Sequence, residues 1–163
     1  MDKKNPPEGF VRLELPRVEA VTRAEFAEVV RTILGDGTLH EYGARHPVAR
    51  RFSGRGVAYA VALPTGDGVV IRHSRHGGAL AIVRRDLFFP PTRAPRELRV
   101  SERLRAADIP TPPILAYAIY DAGPVFRRAD VVTREITEAF DLSVALMSGD
   151  DTLRGNALLA TAT

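Results

Sequence analysis

The stretch Ser53-Gly54-Arg55-Gly56-Val57-Ala58-Tyr59-Ala60-Val61, followed by Val69-Val70-Ile71-Arg72, has the residue types and spacing to hold a phosphate. A Gly-x-Gly turn has no Cβ in the way, so its backbone N–H groups can come close to an anion. An apolar strand and a short hairpin loop follow, and the next strand ends in a guanidinium, Arg72. The same residues also read as an ordinary β-hairpin in which Gly54 and Gly56 serve a turn or a bulge. His73, Arg75 and His76 extend the positive charge, either as solvated loop residues or as contacts for an anionic glycan or nucleotide.

The surrounding charge points the same way. Thirteen Arg and no Lys lie between Gly43 and Arg105, against Asp67, Asp86, Glu97 and Glu102, a net of +9. The whole chain carries +3, so the remainder carries −6. A basic middle suits a nucleotide, a phosphorylated glycan, a nucleic acid or an anionic membrane, although a solvated arginine-rich surface has the same composition. The lysines are Lys3 and Lys4, so a strand-end cation has to be arginine. With no Cys there is no disulfide, thiolate metal site or cysteine nucleophile, which fits a cytoplasmic location. No run approaches the ~18 apolar residues of a transmembrane helix. Met1 to Phe10 lacks the apolar stretch of a secretory signal.

The elements that would position these groups follow from periodicity. At 163 residues the chain has the length of one domain with a sizeable core. Val11 to Leu15 alternates as a short strand. Thr22-x-x-Glu25 predicts a capping box opening a helix whose apolar face is Phe26, Val29, Val30, Ile33 and Leu34, ended by Gly35 and Gly37. Val57 to Leu63 and Val69 to His73 form a hairpin around Pro64-Thr65-Gly66-Asp67-Gly68. Ala79 to Leu87 has a helical pattern before Pro90 and Pro91. Pro95 lies early in a helix running to about Ala107, with Leu98, Ser101 and Leu104 inward. Ile114 to Tyr120 and Val125 to Ile136 read as strands, Leu142 to Met147 as a short helix, and Asp151 as the cap of a last one. The expected class is α+β: an antiparallel sheet of about five strands with a packed helix, plus an N-terminal strand and helix extension.

Several motifs together resemble the bacterial lipopolysaccharide core kinase family, whose members are protein-kinase-like and phosphorylate Kdo or heptose. The family carries an arginine-histidine-aromatic-arginine-arginine-glycine-glycine run after its third strand. This chain has Arg72-His73-Ser74-Arg75-His76-Gly77-Gly78, with Ser74 for the aromatic and His76 for the second arginine. Arg96-Glu97-Leu98, Ala107-Asp108-Ile109-Pro110-Thr111-Pro112-Pro113 and Arg128-Ala129-Asp130-Val131-Val132-Thr133-Arg134-Glu135-Ile136 also match. The likeness covers roughly Gly54 to Met147. It implies that Gly54 and Gly56 shape a loop over ATP and that Val61 packs on the adenine. Arg72 would hold the α- and β-phosphates where kinases have Lys, Glu97 would be its helix-borne partner, Thr133 would sit at the back of the adenine pocket, and Ile136 would offer its backbone to adenine. A carboxylate that fixes the cation beforehand leaves less ordering cost when ATP binds. Glu102 competes with Glu97 for that role.

The resemblance also divides the chain into an extension (1–42), a nucleotide-binding lobe (43–148) and the start of a second lobe (149–163), and brings in ATP, Mg2+ and an inner-core glycolipid, with a peripheral contact at the inner face of the inner membrane. A kinase needs a catalytic Asp, an Asn for metal and a second metal-binding Asp. Asp151-Thr152-Leu153-Arg154-Gly155-Asn156 has an Asp-x-x-x-x-Asn spacing, but Gly149 stands where the kinase His belongs and Ile136 is too close for the intervening helix. The expectation is therefore a nucleotide-binding lobe cut short before its catalytic loop, with no metal site of its own. A non-catalytic kinase-lobe binding module is the second reading. A basic nucleic-acid-binding domain is the third, thinly supported because only Phe52 and Tyr59 interleave with the early arginines.

Overall fold

Side-chain alternation on seven short strands decides this architecture. The computed structural model describes residues 5–54, 56–75 and 86–136. In chain order the elements are β1 (Phe10–Leu15), β2 (Val18–Arg23), α1 (Ala27–Asp36), α2 (Leu39–Arg45), β3 (Arg50–Ser53), β4 (Val57–Ala62), β5 (Gly68–His73), α3 (Ala94–Ala106), β6 (Ile114–Asp121) and β7 (Arg127–Arg134). The strands form one sheet in the order β1-β2-β6-β7-β5-β4-β3, and every neighbouring pair is antiparallel. The last five strands and α3 make the expected lobe. The hairpin β1–β2 widens the same sheet by pairing β2 with β6.

Successive strand residues face opposite sides of the sheet, and each side has its own core. Ala20, Val61, Val69, Ile71, Ala118 and Val132 pack with Phe26, Val30, Ile33, Leu34 and Leu39 beneath α1 and α2. Val21, Tyr117, Ala129 and Val131 pack with Ala94 and Leu98 beneath α3. A helix thus covers each side, and the extension shares the larger core with the lobe. Helix α2 itself spans residue 42, the expected end of the extension. In β6 the register shifts between Ile114 and Ala116, so consecutive Leu115 and Ala116 both enter the core beneath α1 and α2 while Ile114 enters the other.

Two expectations need correction. Thr22 does not cap a helix: it lies in β2, fully buried, and its hydroxyl donates to the Leu115 carbonyl at 3.3 Å. The following helix begins through a 3-10 turn at Ala24–Phe26 without a side-chain cap. The capping box is sixteen residues on, at Thr38-x-x-Glu41, where the Thr38 hydroxyl accepts from Glu41 N at 3.1 Å and Glu41 Oε2 accepts from Thr38 N at 2.9 Å. That hydrogen bond from the Thr38 backbone lowers the Glu41 carboxyl below its ordinary pKa despite partial burial. The second correction concerns β3 and α2, which had been expected as neither strand nor helix. The expected strand Val125 to Ile136 is shorter, ending at Arg134.

The β4–β5 turn is closed by Leu63 N donating to Asp67 O at 2.9 Å and Gly66 N to Leu63 O at 2.8 Å. Gly66 sits at φ 87°, in the left-handed region that glycine enters without cost from a Cβ. Among the described residues no helix is long and apolar enough to cross a membrane. His76, Gly77, Gly78, most of the Ala79 to Leu87 stretch, the Leu142 to Met147 helix and Asp151 lie outside the described residues.

Candidate functional site

On β5, Val69, Ile71 and His73 point toward α1 and α2, which leaves Val70 and Arg72 on the α3 side. On α3, Leu98 is buried against the sheet, and its neighbour Glu97 reaches sideways to the strand. Arg72 Nη2 donates to Glu97 Oε2 at 2.6 Å, with both side chains part-exposed. Glu102, five residues on, lies about 140° further round the helix. It accepts instead from Arg23 of β2 at 3.2 Å and from Arg105 at 3.3 Å. Helical geometry thus separates the two candidate partners: Glu97 faces Arg72 and Glu102 faces the extension.

Beside this ion pair is a cavity of about 700 Å3 between α3 and the sheet. Arg93, Arg96, Val100 and Leu104 line its helix side, and Arg72, Ile114 and Thr133 line its sheet side. Thr133 faces Val70 directly across the β5–β7 pair, and its hydroxyl donates to the Val70 carbonyl at 3.5 Å. The cavity therefore brings Arg72, Glu97 and Thr133 together. Three guanidiniums share it with one carboxylate, a composition suited to an anionic ligand.

Other expected residues fall elsewhere. Val61 is 3% exposed and belongs to the core beneath α1 and α2, on the side of the sheet away from Arg72. Strand parity is the reason: Val61 pairs with Val69, whereas Arg72 pairs with Ala58 and Val70 with Ala60. The small side chains on the Arg72 side of β4 are therefore Ala58 and Ala60. Ile136 lies two residues beyond β7 and is exposed. Gly54 and Gly56 form the β3–β4 turn, where Gly54 N donates to Gly56 O at 3.1 Å. A Cβ on Gly56 would come within 3.1 Å of Arg75 Cδ, so glycine lets the Arg75 side chain lie over the turn.

His73 had been read as a loop residue facing solvent or a ligand; it is the last residue of β5 and faces the opposite core. There its Nδ1 lies 2.5 Å from Oδ1 of Asp130, which is fully buried. The other Asp130 oxygen accepts from the His40 backbone N–H and the Tyr120 hydroxyl, both at 2.9 Å. Tyr120 Oη in turn accepts from Leu39 N at 2.9 Å. The first N–H groups of α2 thus end on a buried carboxylate and a buried phenol. Burial and the neighbouring Asp130 charge raise the Tyr120 pKa. On the α3 side, burial pushes Tyr117 up to about 12. This network was not anticipated. One polar residue within the apolar run of β7 is the only sign of Asp130 in the sequence.

A second cavity, about 510 Å3, lies between α1 and α2 and is lined by Val29, Ile33, Tyr42, Pro47 and Pro64. Its one arginine, Arg45, is held by Glu41 at 3.5 Å. Among the described residues it is the first cavity that brings three guanidiniums together.

A glycine-turn hairpin, a strand ending in a cation, a helix bringing a carboxylate to it and two further strands make up a kinase-like lobe. The chain belongs to the Lipopolysaccharide kinase (Kdo/WaaP) family, which it matches over residues 40–163. A kinase activity using ATP and a lipopolysaccharide substrate goes with that membership. Searches of curated proteins and of solved structures found no match.

Proposed function

We propose that this chain is the nucleotide-binding lobe of a kinase that phosphorylates a Kdo or heptose sugar of the lipopolysaccharide inner core. The reading assigns ATP to the cavity between α3 and the sheet. The observation that carries it is the 2.6 Å contact between Arg72 and Glu97 at the mouth of that cavity. Fixing the guanidinium beforehand removes part of the ordering cost of binding phosphate. Its planar fork can also keep one face for Glu97 and offer the other to an oxyanion. Arg72 would hold the α- and β-phosphates. Thr133 would border the adenine, with Ala58 and Ala60 in place of Val61 as its covering surface, while the glycine turn and the Ile136 backbone complete the nucleotide site.

In the reaction a sugar hydroxyl oxygen forms a bond to the γ-phosphorus, the bond to the β,γ-bridging oxygen breaks, and ADP leaves. Arg72 stabilises the charge that builds on the departing diphosphate. The hydroxyl proton needs a base, a role assigned to none of the described residues. Mg2+ is likewise assigned no ligand among the described residues. Among the described residues no group of three or more His, Asp or Glu could hold a metal ion, and no step above runs through one. We therefore assign this region nucleotide holding rather than the full transfer, and place its site of action at the inner membrane face, where a glycolipid acceptor lies.

The test is thermal stabilisation of the chain by ATP. Stabilisation that disappears in Arg72→Ala and weakens in Glu97→Gln is the expected result. Arg72→Lys should restore it only in part, because a point charge cannot reproduce the fork. ATP stabilisation unchanged in Arg72→Ala would reject the assignment. Tight, steeply salt-dependent RNA or DNA binding without ATP stabilisation would favour a nucleic-acid-binding domain instead.

A further inference from the structure

Most described arginines have a carboxylate close by: Arg12 with Glu19, Arg50 with Glu135, Arg127 with Asp121, Arg128 with Asp86 and Arg134 with Asp67. Arg93 and Arg96 differ. Among the described residues neither guanidinium forms an ion pair, yet both line the cavity that holds the Arg72–Glu97 pair. Arg72 and Glu97 neutralise one another, so the cavity's surplus charge belongs to Arg93 and Arg96.

Their position makes that surplus costly. Arg93 is the N-cap residue of α3 and Arg96 lies in its first turn. The positive end of the helix dipole disfavours cations there. Three residues apart on a helix, the two side chains are also neighbours that repel. Neither a cap nor an ion pair accounts for two arginines at this end. An oxyanion seated between them would relieve both penalties, and the cavity of about 700 Å3 has room for one beside a ligand at Arg72.

We propose that Arg93 and Arg96 form a second oxyanion subsite, distinct from Arg72, that binds a phosphate or carboxylate group in this cavity. The inference rests on the cavity being a ligand site, as proposed above. It does not require the ligand at Arg72 to be ATP. The group could be the terminal phosphate of the nucleotide or an acidic group of the acceptor sugar; both are oxyanions that a guanidinium pair clamps by charge-assisted hydrogen bonds.

The experiment is calorimetric titration of the full chain with pyrophosphate, ATP and glucose 6-phosphate, repeated on Arg93→Gln/Arg96→Gln. The wild type should bind at least one of the three. The double variant should weaken that binding by about 10- to 100-fold, roughly tenfold per lost charged hydrogen bond. The melting temperature should stay level or rise, because two repelling cations leave the helix start. Weakened pyrophosphate and ATP binding would place the nucleotide's phosphate in the subsite. Unchanged ATP but weakened glucose 6-phosphate would place the acceptor's anion there. Full-strength binding of all three ligands by the double variant would overturn the subsite, as would no binding of any by the wild type. If pyrophosphate binds through Arg93 and Arg96 while ATP fails to stabilise the chain, the subsite stands and the nucleotide assignment falls.

Discussion

The two sides of the sheet put their charges to opposite uses. Beneath α1 and α2, a fully buried carboxylate is saturated by a histidine, a phenol and a helix N–H. Beneath α3, guanidiniums crowd a cavity and a single glutamate partners one of them. The first arrangement holds the lobe together, and the second leaves charge available. The same residue types serve stability where every polar group is paired and leave charge available where some are not. Adjacent residues of one strand, Arg72 and His73, belong to opposite camps solely because strand parity turns them to opposite sides.

Substitutions should separate the two sides most sharply at Asp130. Asp130→Ala strands the Tyr120 hydroxyl, the His40 N–H and His73 in the interior, and is expected to cost about 3–5 kcal/mol of folding stability, as for breaking a buried charged contact. Arg72→Ala on the other side should stay within about 1 kcal/mol, since the pair it breaks is part-exposed. Urea unfolding of the two variants checks both figures, and equal losses would erase the distinction between the sides.

Alkaline titration probes both cores together. Tyr117 and Tyr120 have pKa values raised in the folded state, Tyr117 to about 12. Above the ordinary tyrosine value near 10, the unfolded chain loses protons that the folded chain keeps. Stability is therefore full below about pH 10 and falls as pH climbs through the folded values. Each tyrosine should contribute about 1.4 kcal/mol per pH unit within its window. Tyr117→Phe should flatten the decline between pH 10 and 12, and Tyr120→Phe should also flatten it from pH 10 upward. Denaturant midpoints measured across that range read the slopes, and identical slopes in wild type and Tyr117→Phe would contradict the burial argument.

The smallest expected effect is at the α2 cap. Thr38→Ala removes the hydroxyl that accepts from Glu41 N and should cost about 1 kcal/mol. The matching change Thr22→Ala acts on a buried strand residue instead. Chemical denaturation of the pair would show whether the capping box belongs to Thr38, with Glu41→Gln lowering stability only beside it.

Those two threonines also show how far the sequence can be read. Thr22-x-x-Glu25 and Thr38-x-x-Glu41 are the same pattern, and only one caps a helix. The segment Val18 to Arg23 hides its strand because Ala20, Val21 and Thr22 are all buried, so no alternation marks it. In β3, Arg-Arg-Phe-Ser is exposed throughout and has no apolar face to announce it. By contrast β4, β5, β6 and α3 carry strong periodicity and were legible, as was the choice of Glu97 beside Arg72. The side of the sheet that Val61 faces was not, because a one-residue step in β4 carries a side chain from the Arg72 side to the core beneath α1 and α2. Asp130 was beyond reach for another reason. Its partners lie 90, 57 and 10 residues away in the chain, and only the assembled sheet brings them together.

The position of β3 has one more consequence. Among the described residues it is one of the two edge strands of the sheet, with one row of its peptide groups open to pairing, next to the glycine turn. Such a margin invites another chain to add a strand and start an aggregate. Arg51 sits on that margin, exposed, next to Arg50, which Glu135 holds, and a second copy would have to bring its own Arg51 against this one. The Arg51 charge is thus a toll on self-association at this edge.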